Sequence, residues 1–297
     1  MGSQSEVHPV GLLSSDLIAD LEVRYPPSTA ADWDAVGWVS GDPSQPVRRV
    51  LLAVEATEAT AAEAVELDAD LLIVHHPLLL RGVTSIVETG AKGRILTGLI
   101  RGGVGLYTAH TNGDDAPGGV SESLALAVGL GDLRPLEPSS APAAHPGSGT
   151  GRIGRLRVPL PFEDFAQNVA RALPGTAQGI RIAGDVDALV ETVAVCGGSG
   201  DGYLEAARAA GADVYVTADL RHHPATDFRA QHSKPYLIDA AHWASEWVWL
   251  PRLKEQIEAD VAARGATVDV HVSTVCTDAW TARLTRTEPN ENQVSAP

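Results

Sequence analysis

The sequence predicts an α/β fold with a parallel sheet, and three observations lead to this prediction. Residues 71–74 form a short, wholly apolar run, which is typical of a strand buried on both faces of such a sheet. A strand at 48–55 and an Ala/Glu-rich helix at 57–67 precede that run, so the three segments make a βαβ unit. Strand and helix patterns alternate again in the second half of the chain. We therefore expect parallel strands that helices connect.

The remaining elements follow from the same local patterns. Apolar residues at helical spacing predict a helix over 12–23, with Ser14 or Ser15 at its start and Pro26 beyond its end. Further helices are predicted at 93–100, 121–128, 162–173 and 203–210, and from His242 onward. Further strands are predicted at 70–76, 103–109, 152–158, 193–196, 213–218, 235–238 and 270–276.

Composition and charge restrict the class of function. The chain has 297 residues, of which 44% are hydrophobic and 20% charged, as expected of a globular protein with an ample core. Its formal net charge of −16 argues against binding to a nucleic-acid backbone, because proteins that do so carry a basic surface. An acidic protein can still bind an anionic small molecule where divalent cations reverse the local field.

The sequence also predicts a cytoplasmic protein. No apolar run is long enough to span a bilayer, and the N-terminus lacks the basic start and apolar core of a secretory signal. The two cysteines, Cys196 and Cys276, are too few for a disulfide framework and lie in apolar, strand-like runs. We therefore expect both thiols to be reduced and buried.

Two adjacent histidines, His75 and His76, end the predicted central strand. Neighbouring side chains on a strand point to opposite faces, so both imidazoles can share one site only where the backbone turns. Pro77 provides that turn, because proline cannot continue an interior strand. Ligands of open α/β sheets bind at the carboxyl ends of strands. We therefore interpret both histidines as metal ligands rather than as loop residues.

Histidines and carboxylates follow other predicted strands in the same way. His242 and Glu246 come after the strand at 235–238 and are four residues apart. A helix there would place them on one face, roughly 5–6 Å apart at Cβ, where both can bind one metal ion. The full set at strand ends comprises His75, His76, His110, Asp114, His223, His242 and Glu246.

This set predicts a dinuclear metal centre. Imidazole and carboxylate ligands suit zinc, iron, manganese, nickel or cobalt. Five or more such ligands exceed what one tetrahedral zinc ion needs, so we expect a carboxylate to bridge two ions roughly 3.5–4 Å apart. Such a pair lowers the pKa of a bound water, which can then attack carbon or phosphorus.

Two features have a structural alternative. The glycine-rich turn at 197–202, between a strand and a helix, can cradle a phosphate through its N–H groups or can simply form a tight turn. Asp32 and Asp34, in the loop after the first helix, can be site carboxylates or can be turn and cap residues.

Motifs that carry a family resemblance occur in order along residues 16–280. They are Trp33-Asp34…Gly37, Val74-His-His-Pro77, Ala109-His-Thr-Asn-x-Asp114, Pro117-Gly-Gly119, Val195-Cys-Gly-Gly-Ser-Gly200, Thr217-x-Asp219 and Asp239-Ala-x-His242…Glu246. Together they resemble the GTP cyclohydrolase I type 2 homologues, the Nif-three-like family. Ala35 departs from the family pattern, in which asparagine often follows Trp-Asp.

The resemblance implies a two-lobed α/β fold with mixed, largely parallel sheets flanked by helices. It also implies a dinuclear centre that faces a central cavity, and a toroidal homohexamer. The metal ligands that it implies are His75, His76, Asp114, His242 and Glu246, with His110, Asp219 and His223 beside them. Longer relatives carry an inserted domain in mid-chain, and the short segment at 134–151 indicates that this chain lacks it.

The function that the resemblance implies is that of a GTP cyclohydrolase-like hydrolase, in which metal-activated water attacks a nucleotide or a related phosphorylated small molecule. His223 and His110 are the candidate catalytic residues, because an imidazole titrates near neutral pH and can transfer protons. The alternative is a metal-binding hexameric scaffold or regulatory protein without turnover. We expect no membrane partner and no nucleic-acid partner.

The predicted elements and the composition along the chain divide it into four segments. Residues 1–133 are predicted to form a first α/β lobe with the His-His-Pro ligands, and 134–151 a Pro/Ser/Ala-rich linker. Residues 152–282 form a second α/β segment that carries His242 and Glu246, and its C-terminal part can pack back on the first lobe. Residues 283–297 form a disordered tail.

Overall fold

The computed structural model describes residues 11–141 and 143–284. The helices are α1 (Ser14–Arg24), α2 (Glu58–Glu66), α3 (Ala91–Arg101), α4 (Thr111–Asp115), α5 (Val120–Ala127), α6 (Phe162–Ala172), α7 (Leu204–Ala209), α8 (His222–Gln231), α9 (His242–Trp247) and α10 (Trp249–Ala263), with short 3₁₀ helices at Pro27–Thr29 and Asp201–Tyr203. The strands are β1 (Gly37–Ser40), β2 (Arg49–Glu55), β3 (Leu71–His76), β4 (Gly105–Thr108), β5 (Leu130–Pro138), β6 (Gly149–Pro161), β7 (Arg181–Ala183), β8 (Leu189–Ser199), β9 (Val214–Ala218), β10 (Tyr236–Ala240) and β11 (Asp269–Val272).

The first sheet has five strands in the order β1-β4-β3-β2-β11. Strands β4, β3, β2 and β11 are parallel, and β1 pairs antiparallel with β4. In the β2–β3 register Glu55 lies opposite His76, so polar residues stand side by side at the carboxyl ends of these strands. Because β11 belongs to this sheet, the C-terminal part of the chain packs back on the N-terminal part.

The second sheet has six strands in the order β5-β6-β8-β9-β10-β7. Strands β8, β9 and β10 are parallel, whereas the other pairs are antiparallel. Strands β5 and β6 occupy both ends of the predicted linker at 134–151, so residues 139–148 alone connect them. β5 is an edge strand, and an edge strand tolerates the prolines that indicated a linker. The second sheet therefore begins at Leu130, before the predicted boundary.

Three helical layers alternate with the two sheets. α2 and α3 cover the outer face of the first sheet, and α7 and α8 cover the outer face of the second. A continuous core between the sheets joins their inner faces to α1, α5, α6, α9 and α10. On β2, Leu51 faces the outer cluster while Val50 and Leu52 face the inner core, which explains why the middle of this strand is a continuous apolar run.

The predicted α/β class, with mixed sheets flanked by helices, is confirmed. The sequence did not reveal the short elements β1, α4 and β7, nor the helix α8. A second His-His-Pro sequence, at residues 222–224, begins α8. Pro224 therefore lies in the first helical turn, where its missing N–H leaves no hydrogen bond unmade. Cys196 is buried as predicted, but Cys276 is exposed, because β11 ends at Val272.

Among the helices of the described ranges, none is long and apolar enough to cross a membrane. The predicted disordered tail lies, from residue 285 onward, outside the described residues.

Candidate metal centre

His75 and His76 end β3 and bring their rings together, with centroids 4.9 Å apart. The His75 side chain is 1% exposed, and its Nδ1 donates to the backbone carbonyl of Ala109 at 2.9 Å. Burial lowers the pKa of His75, despite the nearby carboxylate of Glu246. The ring is therefore neutral, and the lone pair on Nε2 is free to bind a metal ion.

The helix α9 carries His242 and Glu246 directly after β10 of the second sheet. The two side chains lie on one face of the helix, with His242 Nε2 2.9 Å from Glu246 Oε1. Residues at the strand ends of both sheets thus form a single cluster.

Glu246 lies at the centre of this cluster and is 3% exposed. Its Oε1 is 3.6 Å from Nε2 of His75, and its Oε2 is 3.1 Å from Nε2 of His76. Burial acts to raise the pKa of Glu246, but the imidazoles of His76, His75 and His242 outweigh it and hold this pKa well below its usual range. The carboxylate is therefore ionised and has a histidine nitrogen near each of its two oxygens.

Asp114 reaches the cluster from α4, which follows β4. Its Oδ1 lies 3.5 Å from Nε2 of His75. Burial and the negative charge of Glu246 raise the pKa of Asp114 well above its usual range. The half-buried Asp114 carboxyl, whose ionisation Glu246 disfavours, is a group that a bound cation would stabilise in its charged form.

Three buried atoms of the cluster lack a hydrogen-bond partner within the described part of the chain: His75 Nε2, Asp114 Oδ1 and Glu246 Oε2. An unsatisfied buried polar group costs about 1–3 kcal/mol of stability. Three such atoms in one cluster therefore indicate a ligand that would pair with them. All three atoms carry lone pairs of the kind that divalent metal ions bind, and the residues therefore fit a metal site. Two groups have ligand atoms within 4.8 Å of one another: His75, His76 and His110, and His76, His242 and Glu246.

Carboxylates outside the cluster hold three of the imidazoles through Nδ1. The pairs are His76–Glu55 at 3.1 Å, His242–Asp219 at 2.7 Å and His110–Asp34 at 2.8 Å. Such partners fix the orientation of a metal-binding imidazole and increase its basicity. Although burial opposes protonation, Glu246 and these outer carboxylates raise the pKa of His76 to about 10 and that of His242 to about 11.

Asp34 is a site residue as well as a cap. Its buried carboxylate accepts from Nδ1 of His110 and from both the N–H and the hydroxyl group of Thr111. Burial acts to raise the pKa of Asp34, but these hydrogen bonds outweigh it and lower the pKa below its usual range. The ring of Trp33 lies edge-on to His110 with centroids 5.8 Å apart, and 62% of Trp33 is exposed.

A cavity of about 390 Å³ opens beside the cluster. Its lining includes hydroxyl-bearing residues such as Ser199 and Tyr203, together with the cluster residues His76, His110, Asp114, His242 and Glu246. Of the described residues that line this cavity, none is lysine or arginine. A negatively charged ligand would therefore depend on metal ions for charge compensation.

His223 does not join the cluster in this chain. It is exposed at the start of α8, its ring contacts that of His222, and it is absent from the cavity lining. Glu55, the carboxylate that pairs with His76, was not predicted as a site residue. It ends β2 and so follows an apolar strand in the same way as the histidines do.

The glycine-rich turn packs against the cluster. Gly198 has φ +66°, and a Cβ there would lie 2.3 Å from Glu246 Oε1. Its N–H donates to the hydroxyl of Ser245 at 2.9 Å, so this N–H is not free for a phosphate. The turn needs glycine because the backbone approaches the central carboxylate closely.

The fold and the cluster define a class: an α/β protein in which two sheets present histidines and carboxylates suited to divalent metal ions. The sequence model of the Duf34/NIF3 (NGG1p interacting factor 3) family matches residues 12–279, and the chain belongs to this family. The family resemblance deduced from the motifs is thereby confirmed.

Similar proteins support this membership. A Streptomyces coelicolor protein named GTP cyclohydrolase 1 type 2 homolog is 46% identical over 284 residues, covering 95% of this chain and 98% of the relative. A Mycobacterium tuberculosis protein of the same name is 37% identical over 369 residues, covering 90% of this chain and 96% of the relative. That alignment exceeds the 297 residues of this chain, so the mycobacterial protein has segments that this chain lacks.

Solved structures share the fold. A Bacillus cereus protein related to NIF3 superimposes with a TM-score of 0.82 at 26% identity, covering 91% of this chain and 98% of the other. A Staphylococcus aureus hypothetical protein superimposes with a TM-score of 0.84 at 29% identity, covering 92% of this chain and 100% of the other.

Proposed function

We propose that this chain is a hydrolase that uses two divalent transition-metal ions and acts on a nucleotide or a related phosphorylated small molecule. The observation that carries the proposal is the position of Glu246, a buried carboxylate close to histidines of β3 and α9, in a cluster with three buried polar atoms that lack hydrogen-bond partners in the described part of the chain. Relatives that are named GTP cyclohydrolase 1 type 2 homolog support the substrate class.

The ligands divide into two sets that share Glu246. His75 and Asp114 would hold one ion with it, and His76 and His242 would hold the other. Zinc, iron, manganese, nickel and cobalt all suit these nitrogen and oxygen ligands. Bound divalent ions of this kind lower the pKa of water and stabilise negative charge on a substrate.

His110 is the residue to which we assign proton transfer. Asp34 accepts from its Nδ1–H at 2.8 Å, which fixes the tautomer and leaves Nε2 available to accept or donate a proton. The ring lines the cavity beside the metal ligands, as a general acid or base requires. Asp34 acts through His110 and is a positioning residue.

Trp33 is suited to bind a planar ring of the substrate. It lies at the cavity, edge-on to His110, and most of its surface is exposed. A heterocycle stacked on this indole would lie beside the ring of His110, while phosphate groups would depend on the metal ions.

The second candidate function is a metal-binding homohexameric scaffold or regulatory protein without turnover. We propose the ring-shaped hexamer for both functions, on the basis of family resemblance, and the net charge of −16 disfavours duplex DNA as its partner.

A paired assay of metal content and turnover tests the proposed function. Metal-reconstituted protein is incubated with a panel of nucleotides, and products are detected by mass. We expect wild type to release a hydrolysis product and Glu246→Gln to lose both metal and turnover. Wild type that holds two ions and converts no nucleotide would contradict the hydrolase and favour the scaffold.

A further inference from the structure

The helix α4, which carries Asp114, is too short to be stable by itself. It has five residues, Thr111–Asp115, whereas isolated helices shorter than about 12–15 residues are marginal in water. The position of the Asp114 carboxylate must therefore be imposed by groups outside the helix.

One end of α4 is held by Asp34, which accepts from the N–H and the hydroxyl of Thr111. The other end is held by a buried guanidinium. Arg152 of β6 is 1% exposed, and its Nη2 donates to the carbonyls of Asp115 at 3.2 Å and Ala116 at 2.9 Å. These carbonyls lie where the helix ends, beyond its own hydrogen bonds, and the carbonyl of Ala116 also accepts from the N–H of Gly119 at 3.1 Å.

The same guanidinium is anchored on its own strand. Its Nη1 donates to the carbonyls of Gly149 at 2.6 Å and Gly151 at 2.7 Å, and its Nε lies 3.6 Å from Glu122. Gly151 has φ +62°, and a Cβ there would lie 2.8 Å from the carbonyl of Val195, so glycine is required for this backbone path. Only a forked, planar cation can bridge two backbone segments in this way.

We propose that Arg152 is a positioning residue for the metal centre: it fastens the end of α4 to β6 of the second sheet and so sets the Asp114 carboxylate against His75. The charges agree with this role, because the Asp34 carboxylate lies at the N-terminus of α4 and the Arg152 guanidinium lies at its C-terminus. The inference rests on the proposed metal centre and adds to it a residue that touches no metal ion.

The test uses Co²⁺, whose visible absorption reports both affinity and coordination. Metal-free wild type, Arg152→Gln and Arg152→Lys are titrated with Co²⁺, and urea midpoints are recorded in parallel. The matched control is Arg155→Gln, which lies on the same strand, is exposed and pairs with Glu191 at 2.5 Å. We expect Arg152→Gln to bind one of its two Co²⁺ ions roughly 10–100-fold more weakly, as for other outer partners of metal ligands, and Arg152→Lys to recover part of that loss. The control should bind Co²⁺ as wild type does.

A double-mutant cycle separates positioning from general stability. In the Asp114→Asn background, Arg152→Gln should weaken Co²⁺ binding no further, because the ligand through which it acts is gone. Equal losses in both backgrounds, or unchanged Co²⁺ affinity and spectrum with a lowered urea midpoint, would overturn the proposal. Wild type without bound Co²⁺ would overturn the metal centre itself, which is a different result. If Arg152→Gln does not fold, Glu122→Gln is used instead, with a smaller loss that must also vanish in Asp114→Asn.

Discussion

Glu246 on α9 lies 3.1 Å from His76 on β3, so a carboxylate from the helix after the second sheet's β10 meets an imidazole of the first sheet. The pair links the carboxyl end of β3 in the first sheet to the helix that follows β10 of the second sheet. This relationship makes the cluster sensitive to small changes in the backbone around it.

A substitution at Gly198 tests this sensitivity of the cluster to the surrounding backbone. In Gly198→Ala, the new methyl group would lie 2.3 Å from Glu246 Oε1 and 3.1 Å from His242 Nε2, and φ +66° costs a non-glycine residue about 1–2 kcal/mol. We expect metal affinity to fall by roughly tenfold or more. The matched control is Gly202→Ala in the same turn, where a Cβ meets no atom within 4 Å. Equal Co²⁺ binding by both variants would contradict this prediction.

The stability of the metal-free protein should depend on pH. The pKa values of His76 and His242 are raised above 6.5, to about 10 and about 11, by their carboxylate partners. The resulting stabilisation is complete below pH 6.5 and is lost as the pH rises toward these values. We expect the urea midpoint of chelator-treated protein to fall between pH 6.5 and 9, with a smaller fall in His76→Gln. An identical fall in that variant would exclude His76 as the cause.

Proton transfer should depend on His110 and Asp34. We expect His110→Ala to keep both metal ions but to lose on the order of 10²–10⁴ in rate, which is the usual effect of removing a general acid or base. Asp34→Asn should shift the pH–rate profile, because the Nδ1 acceptor changes.

The sequence also predicted His223 as catalytic. Parallel kinetics of His223→Ala decide between the two histidines: a comparable loss there, with none in His110→Ala, would reassign the role to His223.

The assembly can be measured directly. Light scattering at micromolar concentration should give the mass of six chains of 31.0 kDa each. A monomer under these conditions would contradict the hexamer.

Most residues of the cluster could be predicted from the sequence. His75, His76 and the His242/Glu246 pair follow apolar strands, and the carboxyl ends of strands are recognisable from local pattern. This reasoning extends to the α/β class, because the buried parallel strands contain apolar runs that end in polar residues.

The remainder depends on pairing between distant segments. β5 looked like a linker because its prolines are tolerated only at a sheet edge, and edge position is not a local property. The roles of Glu55 and Arg152 arise from neighbours that the chain brings together only on folding. His223 lies away from the cluster because its His-His-Pro sequence begins a helix, whereas His75 and His76 end a strand.

The most direct measurement of the central claim is the metal content of wild type and Glu246→Gln, determined by elemental analysis after reconstitution. The exposed Glu255→Gln on α10 is the matched control. If Glu246 is shared by two ions, wild type and the control should hold close to two transition-metal ions per chain, and Glu246→Gln should hold fewer. At most one ion in wild type, or two in Glu246→Gln with unchanged affinity, would contradict the dinuclear centre.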